Sequence, residues 1–356
     1  MVGWTIIIAV IVHPFNLMRK QKEMTIDYVV PMVFPEDIAW RHEMQNMLGQ
    51  QSSDNATKSV RYRTWGTEEM LVKLIRKNMP WVRDIIILLA RHTQVQPWMK
   101  EMTANKKKTH LRIVFHKDFM PKEQLPTFNS RAIEMYLHRI PGIAEYFVYG
   151  NDDMFPITPL KVEDFFQKKE DTILPCLQMT EKPFPKEPNQ YHMACLNGLN
   201  FVARNFKKKF TTTWLHTGHS AMPILKSTCE MFWNRWKIEM EASITPFRAT
   251  QNYNQYIYSW WQYMSGQYVN HVPPRKYVAT NRNSPEEILQ AIRDNKGVIC
   301  INDHDVSGEV NPYMEMARKG LTEKLSEKND ILTRLFQKIT NRINNGKTNS
   351  NTDSPL

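Results

Sequence analysis

The chain has 356 residues, of which 42% are hydrophobic and 23% are charged. This composition is typical of a globular protein with a substantial core, and it excludes a chain that is disordered throughout. The formal net charge of +11 favours anionic partners such as nucleotides, acidic glycans, nucleic acids or acidic membrane surfaces, although a generally basic soluble protein would carry the same charge.

Residues 1–23 are predicted to be an N-terminal extension. Residues 2–12 are mostly apolar and precede the basic residues Arg19, Lys20 and Lys22. The run is shorter than the ~20 residues that span a bilayer, and it has neither the basic start nor the cleavage site of a signal peptide. A buried strand or helix, or a start codon placed too early, is therefore favoured over an interfacial membrane anchor.

Strands and helices alternate in the first half of the chain. Apolar runs predict strands at residues 26–33, 84–89, 111–115 and 146–149. Apolar surface at helical spacing predicts helices at residues 68–78 and 129–139, and the polar residues 49–58 are predicted to form a loop. This alternation indicates an α/β fold with a mostly parallel sheet flanked by helices.

Helices predominate in the predictions for the second half. They cover residues 225–239, 254–265, 286–294 and 313–343, and the polar residues 344–356 are predicted to be a disordered tail. Four tryptophans lie at helical spacing with other apolar residues, which favours core packing over sugar stacking; they are Trp233, Trp236, Trp260 and Trp261.

The cysteines indicate the redox compartment. Four cysteines are far apart and form no CxxC pair; they are Cys176, Cys195, Cys229 and Cys300. Few, scattered cysteines are typical of a reducing compartment rather than of a disulfide-bonded scaffold. We therefore expect a cytoplasmic protein, with peripheral association at the inner face of the membrane left open.

The strongest chemical feature is the segment Tyr149–Phe155. Asp152 and Asp153 follow directly after a predicted strand, and ligands of open α/β sheets bind outside the carboxyl ends of the strands. Magnesium prefers one or two carboxylates, with water and phosphate oxygens as its other ligands. A metal site and a simple solvated turn are both compatible with this sequence.

Three further segments are candidates for the site. His216 and His219 form an HxxH pair without a third ligand at zinc spacing. His219 is therefore interpreted as an acid/base group, a hydrogen-bond donor to phosphate or a structural histidine. Arg248 lies in a predicted loop, where it is either solvated or a bidentate phosphate ligand. Asp303 follows the apolar run 299–301, again at the end of a predicted strand, and a bare turn is the alternative.

The remaining motifs say less about the function. The clusters 106–108 and 207–209 each contain three lysines, and they are predicted to be solvated faces, although they could help to hold an acidic glycan or lie near anionic lipid. The sequence lacks the GxGxxG, GxxxxGK[ST] and GxSxG motifs of common nucleotide-binding proteins and hydrolases.

Together these segments resemble the four conserved regions of the Stealth family, which includes bacterial capsular polysaccharide phosphotransferases and the animal lysosomal-enzyme N-acetylglucosamine-1-phosphotransferase. The first region resembles residues 26–40, the third residues 219–227, 247–248 and 261–266, and the fourth residues 299–303. The second is the most specific. Its matching segments are Arg61-Tyr62-Arg63, Trp65-Gly66-Thr67, Pro80-Trp81-Val82, Pro97-Trp98, 125–130, 133–134, 137–140 and 149–155.

The resemblance implies a fold similar to type A glycosyltransferases, a nucleotide-sugar donor and a divalent metal. By resemblance, Asp152 and Asp153 hold Mg²⁺ or Mn²⁺ on the diphosphate. Donor-pocket positions are matched by Asp27, Arg63, Asn129 and Ser130, and active-site positions by His219, Arg248 and Asp303. The chain departs from the family pattern at residues 31–35 and at Thr64, which puts the identity of the donor in doubt.

The resemblance also implies an organisation and a reaction. Residues 24–343 would be one catalytic domain, with a nucleotide-sugar and metal part at 24–175 and an acceptor and helical part at 176–343. The expected activity is transfer of a hexose-1-phosphate, favouring N-acetylhexosamine-1-phosphate, from a UDP-sugar to an oligosaccharide or polysaccharide hydroxyl with release of UMP. A conventional glycosyltransferase that releases UDP, and a non-catalytic protein that binds anionic glycan or nucleic acid, are the alternatives. We expect no nucleic-acid partner.

Overall fold

The computed structural model describes residues 24–49, 62–105, 109–304 and 310–327. The predicted N-terminal extension, most of the loop 49–58, Lys106–Lys108 and the tail 344–356 lie outside these residues. Within the described part, the strands are β1 (Ile26–Pro31), β2 (Asp84–Leu89), β3 (His110–Phe115), β4 (Tyr146–Tyr149), β5 (Met154–Pro156), β6 (Phe166–Lys169), β7 (Thr172–Leu177), β8 (Thr180–Pro183), β9 (Thr213–His216), β10 (Met222–Leu225), β11 (Val269–Asn270), β12 (Arg275–Ala279) and β13 (Val298–Asn302).

The helices of the described part occur between these strands and after the last of them. They are α1 (Ile38–Leu48), α2 (Glu68–Asn78), α3 (Pro97–Ala104), α4 (Ser130–Met135), α5 (Gln190–Ala203), α6 (Lys226–Ala242), α7 (Tyr256–Met264), α8 (Pro285–Asp294) and α9 (Asn311–Ser326). In α2 the residues Leu71, Val72, Leu74 and Ile75 are fully buried, which is the apolar stripe that its sequence predicts.

The central sheet has the strand order β10-β4-β1-β2-β3. Its β4-β1, β1-β2 and β2-β3 pairs are parallel, and only β10 runs antiparallel, along β4. Alternate residues of β1 contact different hydrophobic clusters, with Tyr28 on one face of the sheet and Val29 on the other. Burial on both faces explains why these strands are continuous apolar runs, and it confirms the predicted α/β fold with a mostly parallel sheet.

A second, three-stranded sheet adjoins the first. Its order is β12-β13-β5, and β5 begins at Met154, directly after Asp153. The turn 150–153 therefore joins the central sheet to the second sheet. Because β5 pairs with β13, residues 147 positions apart in the sequence meet beside this turn.

Strands with continuous apolar runs and several amphipathic helices agree with the sequence predictions, whereas helices α1, α3 and α5 and most of the short strands were not predicted. Strands β2 and β4 and helix α2 have the predicted bounds. The helix predicted at 129–139 is shorter, because Tyr136 has φ −107° and ψ 7° and ends α4, and a separate 3₁₀ turn covers Leu137–Arg139. The sequence predictions also missed β5 to β12, which have two to six residues each.

The tryptophans of α6 and α7 are part of the core, as predicted. Trp233, Trp236 and Trp260 are buried, and Trp261 packs against the same cluster. Among the described residues, no helix combines the length and apolar character that crossing a membrane requires.

Candidate active site at the carboxyl end of strand β4

The candidate site begins where β4 ends. After Tyr149 the chain turns through Gly150 and Asn151 to Asp152 and Asp153, and the N–H of Gly150 donates a hydrogen bond to the carbonyl oxygen of Val29 at 3.0 Å. That bond continues the parallel β1-β4 pairing past the end of the strand. Both carboxyl groups thus lie at the sheet edge where ligands of open α/β folds bind.

Asp153 is the centre of a group of polar side chains. Its Oδ2 accepts a hydrogen bond from Asn302 Nδ2 at 3.1 Å and from the Cys300 thiol at 3.4 Å. The same oxygen lies 3.8 Å from His219 Nε2. The side chains of His219 and Asp153 keep 25% and 22% of their surface exposed, so a ligand can reach both.

Strand direction brings His219 to this site. Strand β10 runs antiparallel to β4 with Met222 opposite Tyr149, so the residues that precede β10 lie beside the carboxyl end of β4. The His219 ring is held by a hydrogen bond of 3.2 Å between its Nδ1 and the hydroxyl of Tyr256 on α7. One ring nitrogen is therefore fixed by the protein while the other faces Asp153.

Asp303 reaches the same region from the end of β13. Its Oδ2 accepts a 2.9 Å hydrogen bond from the indole N–H of Trp65 and lies 3.6 Å from Arg63 Nε. Trp65 and Arg63 belong to the segment that precedes α2. The structure thus places Asp303 and Arg63 in direct contact, although their sequence positions are far apart.

Arg248 and Ser130 form another contacting pair. Arg248 Nη2 donates to Ser130 Oγ at 2.8 Å. The positive charge of Arg248 also lowers the pKa of Asp152, although larger effects raise that pKa. Arg248 is half-buried, and its charge is close enough to the turn to act on Asp152.

Asn129 fixes the loop that carries Arg248. It is completely buried, and its Nδ2 lies 3.0 Å from Thr245 O, 3.3 Å from Phe247 O and 3.0 Å from Asn252 Oδ1. Its own Oδ1 caps the start of α4. Asn129 is therefore placed to support Arg248 rather than to contact a ligand.

The pKa values of the two acids of the turn are shifted in opposite directions. Burial, followed by the charges of Asp153 and Glu68, raises the pKa of Asp152 from 3.8 to about 7. Burial also acts to raise the pKa of Asp153, but hydrogen bonding and charge from His219, with Cys300 and Asn302, outweigh it and lower that pKa. The two neighbouring acids and Glu68 concentrate negative charge in this turn, which the charge of Arg248 offsets only in part.

These residues fit a hard divalent cation. Asp153 Oδ1 is buried and has no hydrogen-bond partner among the described residues, and a cation would satisfy it. Ligand atoms of Asp153, His219 and Cys300 lie within 4.8 Å of one another. Burial and the charge of Asp153 raise the pKa of the Cys300 thiol, however, which keeps the thiol protonated and favours carboxylate oxygens as ligands.

The structure does not bring Asp27 to this site. Asp27 lies near the start of β1, away from the carboxyl end, and its side chain is 0% exposed. It accepts hydrogen bonds from Arg83 at 2.9 and 2.6 Å and from the N–H of Ala144 at 2.8 Å. The position that resemblance assigned to the donor pocket is therefore occupied by a buried ion pair that joins β1 to its neighbours.

Sequence reasoning missed Tyr256, Tyr28 and Glu68 as parts of the site. Tyr256 orients His219, and the Tyr28 hydroxyl lies against Gly150. Glu68 begins α2 and contributes to the raised pKa of Asp152. None of the three lies at the end of a predicted strand, which was the signal that identified Asp152, Asp153 and Asp303.

Comparison with known proteins places the site in a family context. Residues 61–174 match Stealth protein CR2, conserved region 2. The receptor polysaccharide phosphotransferase WefC of Streptococcus gordonii is 28% identical over 340 residues, which cover 86% of this chain and 98% of that protein. The capsular polysaccharide phosphotransferase fcs1 of Haemophilus influenzae is 29% identical over 69% of this chain and 68% of that protein.

One solved structure gives a weaker likeness. The apo structure of the bifunctional glycosyltransferase WbbM matches with a TM-score of 0.40 and 10% identity, over 87% of this chain and 51% of that chain. The sequence matches, by contrast, confirm the predicted relationship: this chain carries the second conserved region of the Stealth family and is related over most of its length to polysaccharide phosphotransferases of that family.

Proposed function

We propose that this protein transfers a hexose-1-phosphate, favouring N-acetylhexosamine-1-phosphate, from a UDP-sugar to a glycan hydroxyl in capsular or cell-surface polysaccharide synthesis. Several of its relatives are named as capsular polysaccharide phosphotransferases, which supports phosphotransfer in capsule synthesis. The observation that carries the proposal is the contact of Asp153 with His219 at 3.8 Å, in the turn where the charge of Arg248 acts on Asp152. A cation-binding acid, a proton acceptor and a phosphate-binding guanidinium thus share one exposed sheet edge.

In the proposed reaction the acceptor hydroxyl attacks the phosphorus that carries the sugar. A new P–O bond forms to the acceptor oxygen, the bond from that phosphorus to the bridging oxygen breaks, and UMP leaves with the bonding electron pair. Catalysis of such a step depends on positioning and on stabilising charge at the phosphoryl oxygens. Arg248 is suited to the second task because its guanidinium can donate two parallel hydrogen bonds to a phosphoryl group.

Asp152 and Asp153 would hold Mg²⁺, with Mn²⁺ as the alternative. When bound, the cation supplies positive charge next to the diphosphate, which the site otherwise repels through its own acids. Ionisation of Asp152 is needed for tight binding because its pKa is raised to about 7 in the protein alone. Asn302 and Cys300 keep the Asp153 carboxylate oriented through their hydrogen bonds.

His219 is the proposed proton acceptor. Its Nδ1 is engaged by Tyr256, while Nε2 faces the exposed part of the site and can accept the proton of the acceptor hydroxyl. Asp303 was the other candidate for this role. Its carboxylate is already engaged by Trp65 and Arg63, so we assign it to holding the segment 63–68 against the site.

The remaining sequence predictions extend this proposal. Residues 24–175 would supply the nucleotide-sugar and metal part and residues 176–343 the acceptor part, with Arg63 and Ser130 near the donor. We place the protein in the cytoplasm, and the four cysteines, all free and buried, support a reducing compartment. Peripheral contact with the membrane would bring it to its glycan acceptor.

The test is incubation of the protein with a panel of UDP-sugars and capsule-type oligosaccharides, with and without Mg²⁺. We expect metal-dependent release of UMP and a product that contains a phosphodiester. Release of UDP would instead indicate attack at the anomeric carbon and a conventional glycosyltransferase. Salt-sensitive glycan or nucleic-acid binding without any turnover would show that the protein is a non-catalytic binder.

A further inference from the structure

A second pocket lies beside the His219 loop. It is partly open to solvent, and its cavity volume of about 30 Å³ suits a small group such as a carboxylate rather than a whole sugar. Its walls come from the segment after β7, the loop before β10, the start of β12 and one residue of α7. Asp152, Asp153 and Arg248 do not line it, so it is distinct from the proposed donor site.

Arg275 contributes a positive charge to this pocket. Its Nη1 donates to the carbonyl oxygen of Thr217 at 2.7 Å, and no described carboxylate lies within 4.0 Å of its guanidinium. Several exposed arginines of the described chain do have acid partners: Arg83 pairs with Asp27 and Arg293 pairs with Glu323. A half-buried guanidinium without such a partner is costly unless an anion comes from outside.

The backbone at Gly218 leaves room for the guanidinium of Arg275. Gly218 has φ +78°, and a Cβ at that residue would lie 2.8 Å from Arg275 Cζ and 2.8 Å from its Nη1. Only glycine leaves this space open and adopts this backbone conformation without strain. The loop that carries His219 is therefore built around the Arg275 side chain.

Two buried hydroxyl groups also face no protein partner. Ser220 is 8% exposed and Ser259 is 0% exposed, and within the described residues neither Oγ has a hydrogen-bond partner. Both residues line the pocket, together with apolar groups such as Met179 and Val272. Two free donors beside a guanidinium match the oxygens of a carboxylate or phosphate.

We propose that this pocket binds an anionic group, a carboxylate or a phosphate, of the acceptor glycan. The identification of the bound glycan as the acceptor rests on the proposed function. Thr217 and Ser220 lie within two residues of His219 and both line the pocket. An acceptor glycan whose anionic group is held there would therefore have an adjoining sugar unit close to the proton acceptor. The acceptor would then be an acidic polysaccharide, in keeping with the net charge of +11.

The test is calorimetric binding of monosaccharides to the full chain without donor or metal. The ligands are glucuronic acid and glucose 6-phosphate, which separate a carboxylate from a phosphate, and uncharged glucose as the reference. We expect one or both charged sugars to bind and glucose to bind at least about tenfold more weakly. Equal binding of glucose and both charged sugars, or no binding of any of them, would overturn the proposal.

Variants test whether the charged sugar binds in this pocket. Arg275→Gln should weaken the charged sugar at least about tenfold, whereas Lys276→Gln removes the same charge from the exposed neighbour on β12 and should change little. Equal losses in both variants would refute a specific site. If Arg275→Gln does not fold, Ser259→Ala serves instead: it should melt at the same or a higher temperature without ligand, because a buried unpaired hydroxyl is removed, and still lose affinity. Unchanged affinity in Ser259→Ala would then count against the pocket.

Binding and transfer can fail separately. Because no donor is present, the result does not depend on whether the protein moves sugar phosphate. Acid binding that is lost in Arg275→Gln, in a protein that releases no UMP, would leave the anion pocket standing and overturn the proposed function. UMP release onto acidic and neutral acceptors alike, with no binding difference, would do the reverse.

Discussion

Tyr28 and Gly150 approach each other so closely that a Cβ on residue 150 would lie 2.1 Å from the Tyr28 hydroxyl oxygen and 2.9 Å from its Cζ. Tyr28 is completely buried in β1, and Gly150 starts the turn that carries both acids. The tyrosine can therefore not withdraw into solvent. Glycine at position 150 is required by contact rather than by backbone conformation.

We expect Gly150→Ala to push the turn away from β1 and to displace Asp152 and Asp153. Melting should show a loss of about 1–3 kcal/mol, as for overpacked cores, together with loss of metal-dependent transfer. Adding Tyr28→Phe, which removes the atom at 2.1 Å, should restore part of both. Gly49→Ala is the control, since its Cβ would approach nothing closer than 3.8 Å. A stable and active Gly150→Ala protein would contradict this close contact.

Asp153→Asn tests the proposed cation site. The amide keeps the shape of the side chain but loses the charge that faces His219 and the proposed cation. We expect transfer to fall on the order of a hundredfold or more, by analogy with other lost transition-state interactions. The rate of UMP release at saturating Mg²⁺ measures this effect. Asp171→Asn, which changes an exposed acid on the β6-β7 hairpin, should retain full activity.

Arg248 is expected to need its guanidinium and not only its charge. Arg248→Lys keeps the charge but cannot donate two parallel hydrogen bonds, so we expect a loss of roughly tenfold to a hundredfold in kcat/KM. Ser130→Ala removes only the 2.8 Å contact that positions Arg248 and should cost less than Arg248→Lys. If lysine supported normal turnover, a bidentate role for Arg248 would be excluded.

The raised pKa of Asp152 predicts how stability depends on pH. Because that pKa rises from 3.8 to about 7 on folding, the folded state binds more protons than the unfolded state between these values. Without metal, the contribution of Asp152 to the free energy of unfolding, measured as the difference between the natural chain and Asp152→Asn, should therefore fall as the pH rises from about 4 to 7. The lowered pKa of Asp153 acts with the opposite sign, but only below its ordinary value of 3.8.

Magnesium should reverse this loss, because it binds the ionised acids. The rise in melting temperature on adding Mg²⁺ should be larger at about pH 8 than at about pH 6. Asp152→Asn should remove most of this difference, and Asp171→Asn should keep it. With Co²⁺ in place of Mg²⁺, we expect no thiolate-to-metal absorption band in the near ultraviolet, since Cys300 stays protonated. Such a band would show that Cys300 is a ligand.

Asp27→Asn separates a structural role from a donor-binding role. The substitution leaves Arg83, which is partly exposed, with only the longer carboxylate contact to Asp84 at 3.5 Å, and the loss of charged hydrogen bonds should lower the free energy of unfolding by about 2 kcal/mol. The KM for the UDP-sugar should not change. A raised KM with unaltered melting would place Asp27 in the donor pocket after all.

The sequence predicted the parts of the fold that carry strong local signals. Strand β2 is buried along its whole length, so its apolar run is continuous, and α2 places its apolar residues at helical spacing. Strands such as β8 and β11 have four and two residues, and β8 is exposed throughout. Their conformation depends on partners distant in sequence, β9 and β7, so no local pattern marks them.

The site was predicted in the same uneven way. Asp152 and Asp303 follow predicted strands, and the carboxyl ends of parallel strands share an edge, so the sequence could place them. Asp27 stands at the start of its strand, and the same rule would have placed it at the far edge. Tyr256 and Arg275 carry no signal, because only the fold of α7 and β12 brings them to the loop of His219.

Strand order also bears on which fragments of this chain can fold alone. Strand β1 lies between β4 and β2 in the central sheet and hydrogen-bonds to both, yet it precedes the matched region 61–174. A fragment cut to that region would hold β2, β3 and β4 with the middle strand missing, and their unpaired edges would face each other across a gap. The second conserved region is thus a stretch of sequence similarity and not a folding unit. Independent folding requires the segments on both sides of it.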